Sequence, residues 1–358
     1  MKKWQKEFIR MRWLKNNYTG AYLLMLAAFT GVLLLAVSAG SVAVPLSVSI
    51  RAVLNQFFPF LPISLETEAG AAAIIQEVRL PRVLLASAVG GALGLAGAVF
   101  QGLLRNPLAD PYTLGVSSGS SLGAVAVLYF GWQIPLLGGF TLPVVSIICG
   151  FLTLAVLLLF VYSVERAVRT ETMILAGIII TAFLSAFMSL LIAFSGEELR
   201  QIIQWLLGSV SRRGWDYFQL IVPCLLVGVL LLLPQARALN AFAFGEDSAS
   251  SVGVNVARTR LLLLVGASVL TGGAVAVSGT IGFVGLVIPH MIRLLWGPDH
   301  KHLLPLSFGG GAVFLTLADL IARTAAAPAE VPVGVITALA GAPVFALLLF
   351  YQRRRRWQ

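Results

Sequence analysis

Charged residues fall in clusters along this chain, separated by stretches with no Lys, Arg, Asp or Glu. The uncharged stretches are 16–50, 83–104, 111–164, 172–196, 217–236, 261–292, 303–318 and 331–352. A helix needs about 20 mostly apolar residues to cross a bilayer, so most stretches hold one crossing and 111–164 holds two. The stretch 261–292 is broken at Ser278-Gly-Thr-Ile-Gly282 and reads as one full and one short span. The pattern predicts an all-α polytopic membrane protein with roughly ten transmembrane helices in one domain. The apolar–polar alternation of a membrane β-barrel is missing.

One stretch is defined at both ends. It opens at Arg79-Leu-Pro-Arg82, carries no charge until Arg105, and closes with Arg105-Asn-Pro-Leu-Ala-Asp110-Pro. Within it Ala86, Gly90, Gly94, Ala98 and Gly102 recur every fourth residue. That spacing lines small side chains along one helix face, where a second helix can approach closely. A packed helix is expected, with arginines at one end and a proline-broken turn at the other.

Composition agrees with a membrane protein. The chain is 58% hydrophobic and 11% charged, with a mean hydropathy of +0.92, against about 25% charged residues in soluble domains. A net charge of +10 raises the question of nucleic acid, but its distribution answers it. Lys2, Lys3, Lys6, Arg10, Arg12 and Lys15 precede the first span, and four arginines at 353–356 follow the last. Basic flanks of this kind mark the cytoplasmic side. The expected organisation is a basic cytoplasmic extension (1–20), a ten-helix domain (21–352) and a basic cytoplasmic tail (353–358). With both termini inside, eighteen Lys and Arg fall inside and seven outside. The seven are Arg51, Arg79, Arg82, Arg200, Arg212, Arg213 and Arg323, and each needs a reason to be there. Ala36-Val-Ser-Ala39 has the small residues of a cleavage site. The apolar segment from Ala21 is nevertheless long for a signal peptide, so a retained first span is expected.

An internal repeat is visible at an offset of 182. Val83, Gly90, Gly91, Ala92, Gly97, Leu104, Pro107 and Gly115 match Val265, Gly272, Gly273, Ala274, Gly279, Leu286, Pro289 and Gly297. The two members cross in opposite directions by the count of spans, so the halves are read as two inverted repeats, a common transporter plan.

Chemistry-bearing groups are sparse, and no catalytic residue or metal site is predicted. There is no GxxxxGK[ST] phosphate loop, which removes ATP hydrolysis by that route. Acids inside spans usually mark proton or sodium pathways. Here Asp319 is the exception, and it stands one helical turn before Arg323, which can pair with it. An ion-coupled secondary transporter is therefore the disfavoured alternative. Cys149 and Cys224 lie in apolar spans and read as buried free thiols. His290, His300 and His302 are too scattered to bind a metal; the last two are expected in a solvated loop, and His290 near a helix end. The polar insertion around 237–258 contains Ala241-Phe-Ala-Phe-Gly245-Glu-Asp-Ser-Ala-Ser-Ser-Val-Gly253. It reads as a short capped helix stopped by Gly253. Phe242 and Phe244 there are expected to be exposed aromatics, the kind of anchor a protein partner covers.

Several motifs occur in order: Arg79-Leu-Pro-Arg82, Arg105-Asn-Pro-Leu-Ala-Asp-Pro, Leu199-Arg-Gln-Ile-Ile-Gln-Trp-Leu-Leu-Gly208, Gly245-Glu-Asp-x-Ala-x-x-x-Gly253, Gly279-Thr-Ile-Gly-Phe-Val-Gly-Leu-Val-Ile-Pro-His290 and Glu330-Val-Pro-Val-Gly334. Together they resemble the permease subunits of type II bacterial ABC importers for iron-siderophores, haem and cobalamin. The resemblance covers about 75–351. It implies ten helices per subunit, a second permease subunit, two cytoplasmic ATPase subunits holding ATP and Mg, and an extracytoplasmic substrate-binding protein. It implies no cofactor in this chain itself, and no enzymatic activity. Carried over residue by residue, Arg79, Arg82 and Arg323 match positions that receive acidic residues of the binding protein. Glu246, Asp247, Ser248, Ala249 and Gly253 match the coupling helix that docks on the ATPase. Asn106, Leu108 and Thr170 match the cytoplasmic gate, although Glu171 departs from the small polar residue expected beside Thr170. The expected cargo is an iron-siderophore, with cobalamin, haem or an oxyanion as alternatives.

Overall fold

A computed structural model of the chain describes residues 18–40, 44–60, 68–165 and 170–356. The basic N-terminal extension up to 17, Arg166, Arg169, the side chains of the C-terminal arginines and residues 357–358 lie outside what is described. The described residues are helical, with no strand among them. In chain order the helices are α1 (Tyr18–Ser38), α2 (Leu46–Phe57), α3 (Ala69–Ala73), α4 (Leu80–Leu103), α5 (Val116–Phe130), α6 (Thr141–Glu165), α7 (Thr170–Ala193) and α8 (Leu199–Leu206). They continue with α9 (Trp215–Leu232), α10 (Ala236–Phe242), α11 (Glu246–Ser251), α12 (Val256–Ser278), α13 (Val284–Trp296), α14 (His300–Thr324) and α15 (Val333–Arg356). A π-helical turn, Ile74–Arg79, joins α3 to α4.

Seven segments are long and apolar enough to cross a membrane, and three shorter apolar helices (Val116–Phe130, Val284–Trp296, Val333–Leu348) complete the expected set of ten. The break at 279–283 does divide its stretch into α12 and the short α13.

α4 is the axis of the bundle. It is apolar all round and buried nearly throughout, as a helix enclosed by other helices must be. α14 packs along its length, and α9, α12 and α13 cover the remaining sides. The small-residue stripe does what its spacing predicts. A Cβ placed on Gly90 would lie 2.2 Å from the carbonyl oxygen of Gly311, and one on Gly94 would lie 2.3 Å from that of Ser307. Gly102 faces the His300 ring, while Gly97, on another side of the helix, meets Gly285 of α13. α1 is part of the fold and packs against α14, where Met25 covers Gly309 and Gly310.

The two halves pack by the same scheme. α4 contacts α13 and α14 as α12 contacts α5 and α6, and α4 touches α12 directly. Within the halves, α5 packs on α6 and α7 as α13 packs on α14 and α15. The constant offset of 182 does not hold, however. The C-terminal ends of α4 and α12 (Leu103, Ser278) are 175 apart, and the starts of α5 and α13 (Val116, Val284) are 168 apart. Pro107 lies in a connecting loop, whereas Pro289 is inside α13. The repeat is a packing scheme rather than a fixed residue register, because the two connections differ in length.

Candidate functional site

At the end of α4 that the charge pattern places outside, Arg79, Arg82 and Arg323 come together, but not as surface cations. Each is 5–8% exposed. α1 ends there with no basic residue in its own last turn, so its terminal carbonyls need outside donors. Arg79 Nη1 donates to the carbonyls of Val37 and Ser38 at 3.1 and 2.7 Å, and Arg323 Nη2 donates to that of Ala36. The positive charges also suit the negative end of the helix dipole. Arg82 is taken up by carboxylates. Its Nε donates to both oxygens of Asp319 at 3.0 Å and its Nη2 to Oδ1 at 2.8 Å. Its Nη1 donates to the two oxygens of Glu330 at 2.9 and 3.1 Å.

Asp319 therefore pairs first with Arg82 and only more distantly with Arg323, at 3.8 Å. The sequence shows Asp319 and Arg323 one turn apart on the same helix but cannot show Arg82 opposite them. Glu330 lies in the connection 325–332, where Val331 N–H bonds the carbonyl of Ala322 at 3.0 Å. Partial burial pushes the Glu330 carboxyl upward. Hydrogen bonds from Arg82 and Ser211, with the charges of Arg82 and Arg323, outweigh this and hold it below the usual range.

At the opposite end, α10 and α11 form the insertion between α9 and α12. Gly245 (φ +106°) and Gly253 (φ +87°) bracket α11. A Cβ on Gly253 would meet nothing, so its backbone angle alone calls for glycine. Glu246 pairs with Arg260 of α12, and Ala249 is fully buried, which fixes one face of α11. Asp247, Ser248 and Ser250 are exposed. Phe244 (82%) and Val252 (72%) are exposed as well, whereas Phe242 is buried, so only one of the two expected aromatics is an exposed anchor. Asn240 ties this insertion to α14. Its Nδ2 donates to Asp299 at 2.8 Å, and its Oδ1 accepts from the His300 backbone N–H at 3.0 Å.

The loop 104–115 reaches the same end. Arg105 sits at positive φ (+47°) close to Gly245. Asn106 Oδ1 accepts from the Leu108 N–H at 2.9 Å, turning the chain so that Leu108 is half exposed. Asp110 then accepts from Tyr112 N–H and the Thr113 hydroxyl; burial keeps its carboxyl above the usual range despite these bonds. The Tyr112 hydroxyl donates to the Ile281 carbonyl at 2.8 Å and accepts from the Ile281 N–H at 2.9 Å. This joins the first non-helical break to the second. The second break is tied in turn to 206–209 through Thr280 to Leu206 and Ser209 to Ser278. Thr170 opens α7, and α7 packs its Gly177 against Thr113 and Leu114. Glu171 is exposed.

Among the described residues, no three His, Cys, Asp or Glu come together as a metal site. The histidines depart from the expected loop. His300 is buried at the start of α14 with Nδ1 2.8 Å from Asn240, and His302 stacks on Tyr18 at 3.6 Å. His290 is buried within α13 against Phe345. Cys149 and Cys224 are free thiols, half-buried rather than fully enclosed. Asn240, Tyr112 and Gln101 escaped the sequence reading. Only Gln101 carried a signal, as a polar residue in an uncharged span; it accepts from Arg293 at 3.0 Å and donates to the α13 carbonyls of Gly285 and Leu286.

Residues 24–351 match the FecCD transport family. Over 98% of both chains, the sequence is 51% identical to the ABC transporter permease protein YvrB of Bacillus subtilis (strain 168). It is 41% identical to the cobalamin import system permease protein BtuC of Halobacterium salinarum, over 80% of this chain and 76% of that one. A solved metal-chelate type ABC transporter in an inward-facing conformation superimposes with a TM-score of 0.78 at 33% identity, covering 93% of this chain and 99% of the other.

Proposed function

The chain belongs to the FecCD transport family, as a type II ABC importer permease and a multi-pass protein of the cytoplasmic membrane; from that premise we propose that its cargo is an iron-siderophore. The pathway lies between two copies of this chain, or between it and a close homologue. ATP and Mg are held by two cytoplasmic ATPase subunits, and a substrate-binding protein delivers the cargo from outside. Both termini are cytoplasmic.

The observation that carries the cargo reading is the likeness, along nearly the whole chain, to a transporter of metal-chelate type. The named relative for cobalamin favours a second reading within the same class of bulky metal complexes. The two ends of the bundle support the division of labour. Phe244 and Val252, which flank α11, are exposed, as is Leu108 on the 104–115 loop, and exposed apolar anchors of this kind suit a protein partner. In this reading Glu246, Asp247, Ser248, Ala249 and Gly253 form the coupling helix, with Glu246 and Ala249 anchoring it to the bundle. Asn106, Leu108 and Thr170 border the cytoplasmic gate. Arg79, Arg82 and Arg323 serve the docking of an acidic binding protein, with Arg82 as the member whose outer partner is exchangeable. An ion-coupled route is opposed by the engagement of Asp319, the one acid inside the spans, by Arg82 at 2.8 Å and Arg323 at 3.8 Å rather than by a coupling ion.

Reconstitution in liposomes tests the reading. Uptake of a ferric siderophore should require ATP, the ATPase and the binding protein together. Uptake by the isolated chain under a proton or sodium gradient would refute it, and cobalamin uptake without ferric-siderophore uptake would transfer the cargo to the second reading.

A further inference from the structure

We propose that Glu330 is a resident stand-in for a partner's carboxylate, holding the outer edge of Arg82 until an acidic surface of the docking protein takes its place. The inference deepens the reading of Arg82 as a docking cation and rests on it.

Arg82 uses its two edges differently. Nε and Nη2 grip Asp319, whose side chain is 2% exposed within α14. Nη1 holds both oxygens of Glu330, whose side chain is 40% exposed on the 325–332 connection. The first pair persists, because breaking a buried pair leaves an uncompensated charge. The second contributes little net free energy, being open to water. The cluster holds three arginines (Arg79, Arg82, Arg323) and two carboxylates (Asp319, Glu330), so it carries one surplus positive charge. An incoming carboxylate can meet Nη1 in the same two-bond geometry that Glu330 uses. Complementary charge then draws an acidic surface toward this end of the bundle.

The exchange has a use in a transport cycle. Arg82 is paired on both edges whether or not the partner is docked, so departure of the partner leaves no bare guanidinium. Glu330 thus lowers the partner's affinity and speeds its release. A residue that merely supported the loop would act with the opposite sign, its loss weakening the docking surface.

The test is association of the full-length chain in lipid nanodiscs with its purified substrate-binding protein, at low and high salt. Glu330→Gln should tighten association by roughly two- to tenfold at low salt, through slower dissociation, with the gain shrinking as salt rises. The charge-neutral double variant Arg82→Gln/Asp319→Asn should weaken association. Unchanged or weaker binding by Glu330→Gln, with the double variant weakened, overturns the stand-in and leaves the docking reading intact. Unchanged binding by a double variant that melts like the parent overturns both. If the double variant fails to insert, Glu330→Lys decides the docking reading: tighter binding at low salt supports an acidic partner, and weaker or unchanged binding overturns it.

Discussion

Gly90→Ala adds one methyl group where α4 and α14 touch backbone to backbone. The new Cβ would stand 2.2 Å from the Gly311 carbonyl oxygen and 2.7 Å from Leu315 Cβ, and a Cβ on Gly311 would stand 2.1 Å from the Gly90 carbonyl oxygen. Relief requires the helices to part by roughly 1 Å, since interiors have almost no free volume. Overpacking typically costs about 1–3 kcal/mol. The upper end applies here, because the obstacle is a carbonyl that cannot rotate away. Alanine's better helix propensity returns about 1 kcal/mol, leaving a net loss of about 2 kcal/mol. Gly31→Ala is the control, because a Cβ there meets nothing within 4 Å, and it should be neutral or slightly stabilising. The assay is unfolding of purified protein in mixed micelles, by denaturing detergent or heat. Gly90→Ala/Gly311→Ala should cost less than the sum of its parts, since helices already separated accommodate the second methyl. If Gly90→Ala proves as stable as Gly31→Ala, the account of the α4–α14 contact is wrong.

Much of this architecture was legible in the pattern of charge. The uncharged stretches locate the ten apolar helices, and the four-residue recurrence of small side chains marks where α4 receives α14. What the pattern could not carry were contacts between distant parts of the chain. Arg79 and Arg82 stand three residues apart, a spacing that suggests one shared partner. Yet Arg79 turns to the α1 carbonyls while Arg82 turns to Asp319 and Glu330. The burial of Arg79 follows from the unsatisfied C-terminus of α1, a helix some forty residues upstream. Phe242 and Phe244 illustrate the same limit. The sequence makes both aromatic and both early in a polar insertion, but Phe242 shares the buried face of α10 with Ala236 and Leu239, whereas Phe244 falls beyond the end of that helix. His300 was unreadable because its environment is assembled from Asn240 and Gly102 on two other helices. The repeat misled in register for a related reason, since glycine matches persist at a constant offset while the connections around them differ in length.

Three further outcomes bear on the same geometry. Tyr112→Phe strips the Ile281 N–H and carbonyl of their shared partner and should lower stability by about 1–3 kcal/mol, seen as a lower melting temperature with the fold intact. Because the folded-state value of Glu330 is depressed, its contribution is present above the unfolded-state value and is lost as pH falls through the folded one. Amide exchange in 325–332, corrected for intrinsic rates, should therefore quicken as pH falls below the ordinary glutamate range, and Glu330→Gln should abolish that change. The sharpest outcome concerns Asp319. Asp319→Asn leaves Arg82 and Arg323 buried around a neutral amide, and breaking a buried pair from one side costs about 3–5 kcal/mol. Adding Arg82→Gln removes the stranded charge while keeping groups that hydrogen-bond, so the double variant should recover much of that loss. Charge reversal at Arg82 should be worse than either, because it sets a second carboxylate against Asp319 at a site only 8% exposed. Unfolding curves of the parent, Asp319→Asn, Arg82→Gln and the double variant form a closed cycle. If the double variant melts no higher than Asp319→Asn alone, the stranded charge is not what destabilises the single variant, and the pairing of Arg82 with Asp319 is not what holds the outer end of α4 to α14.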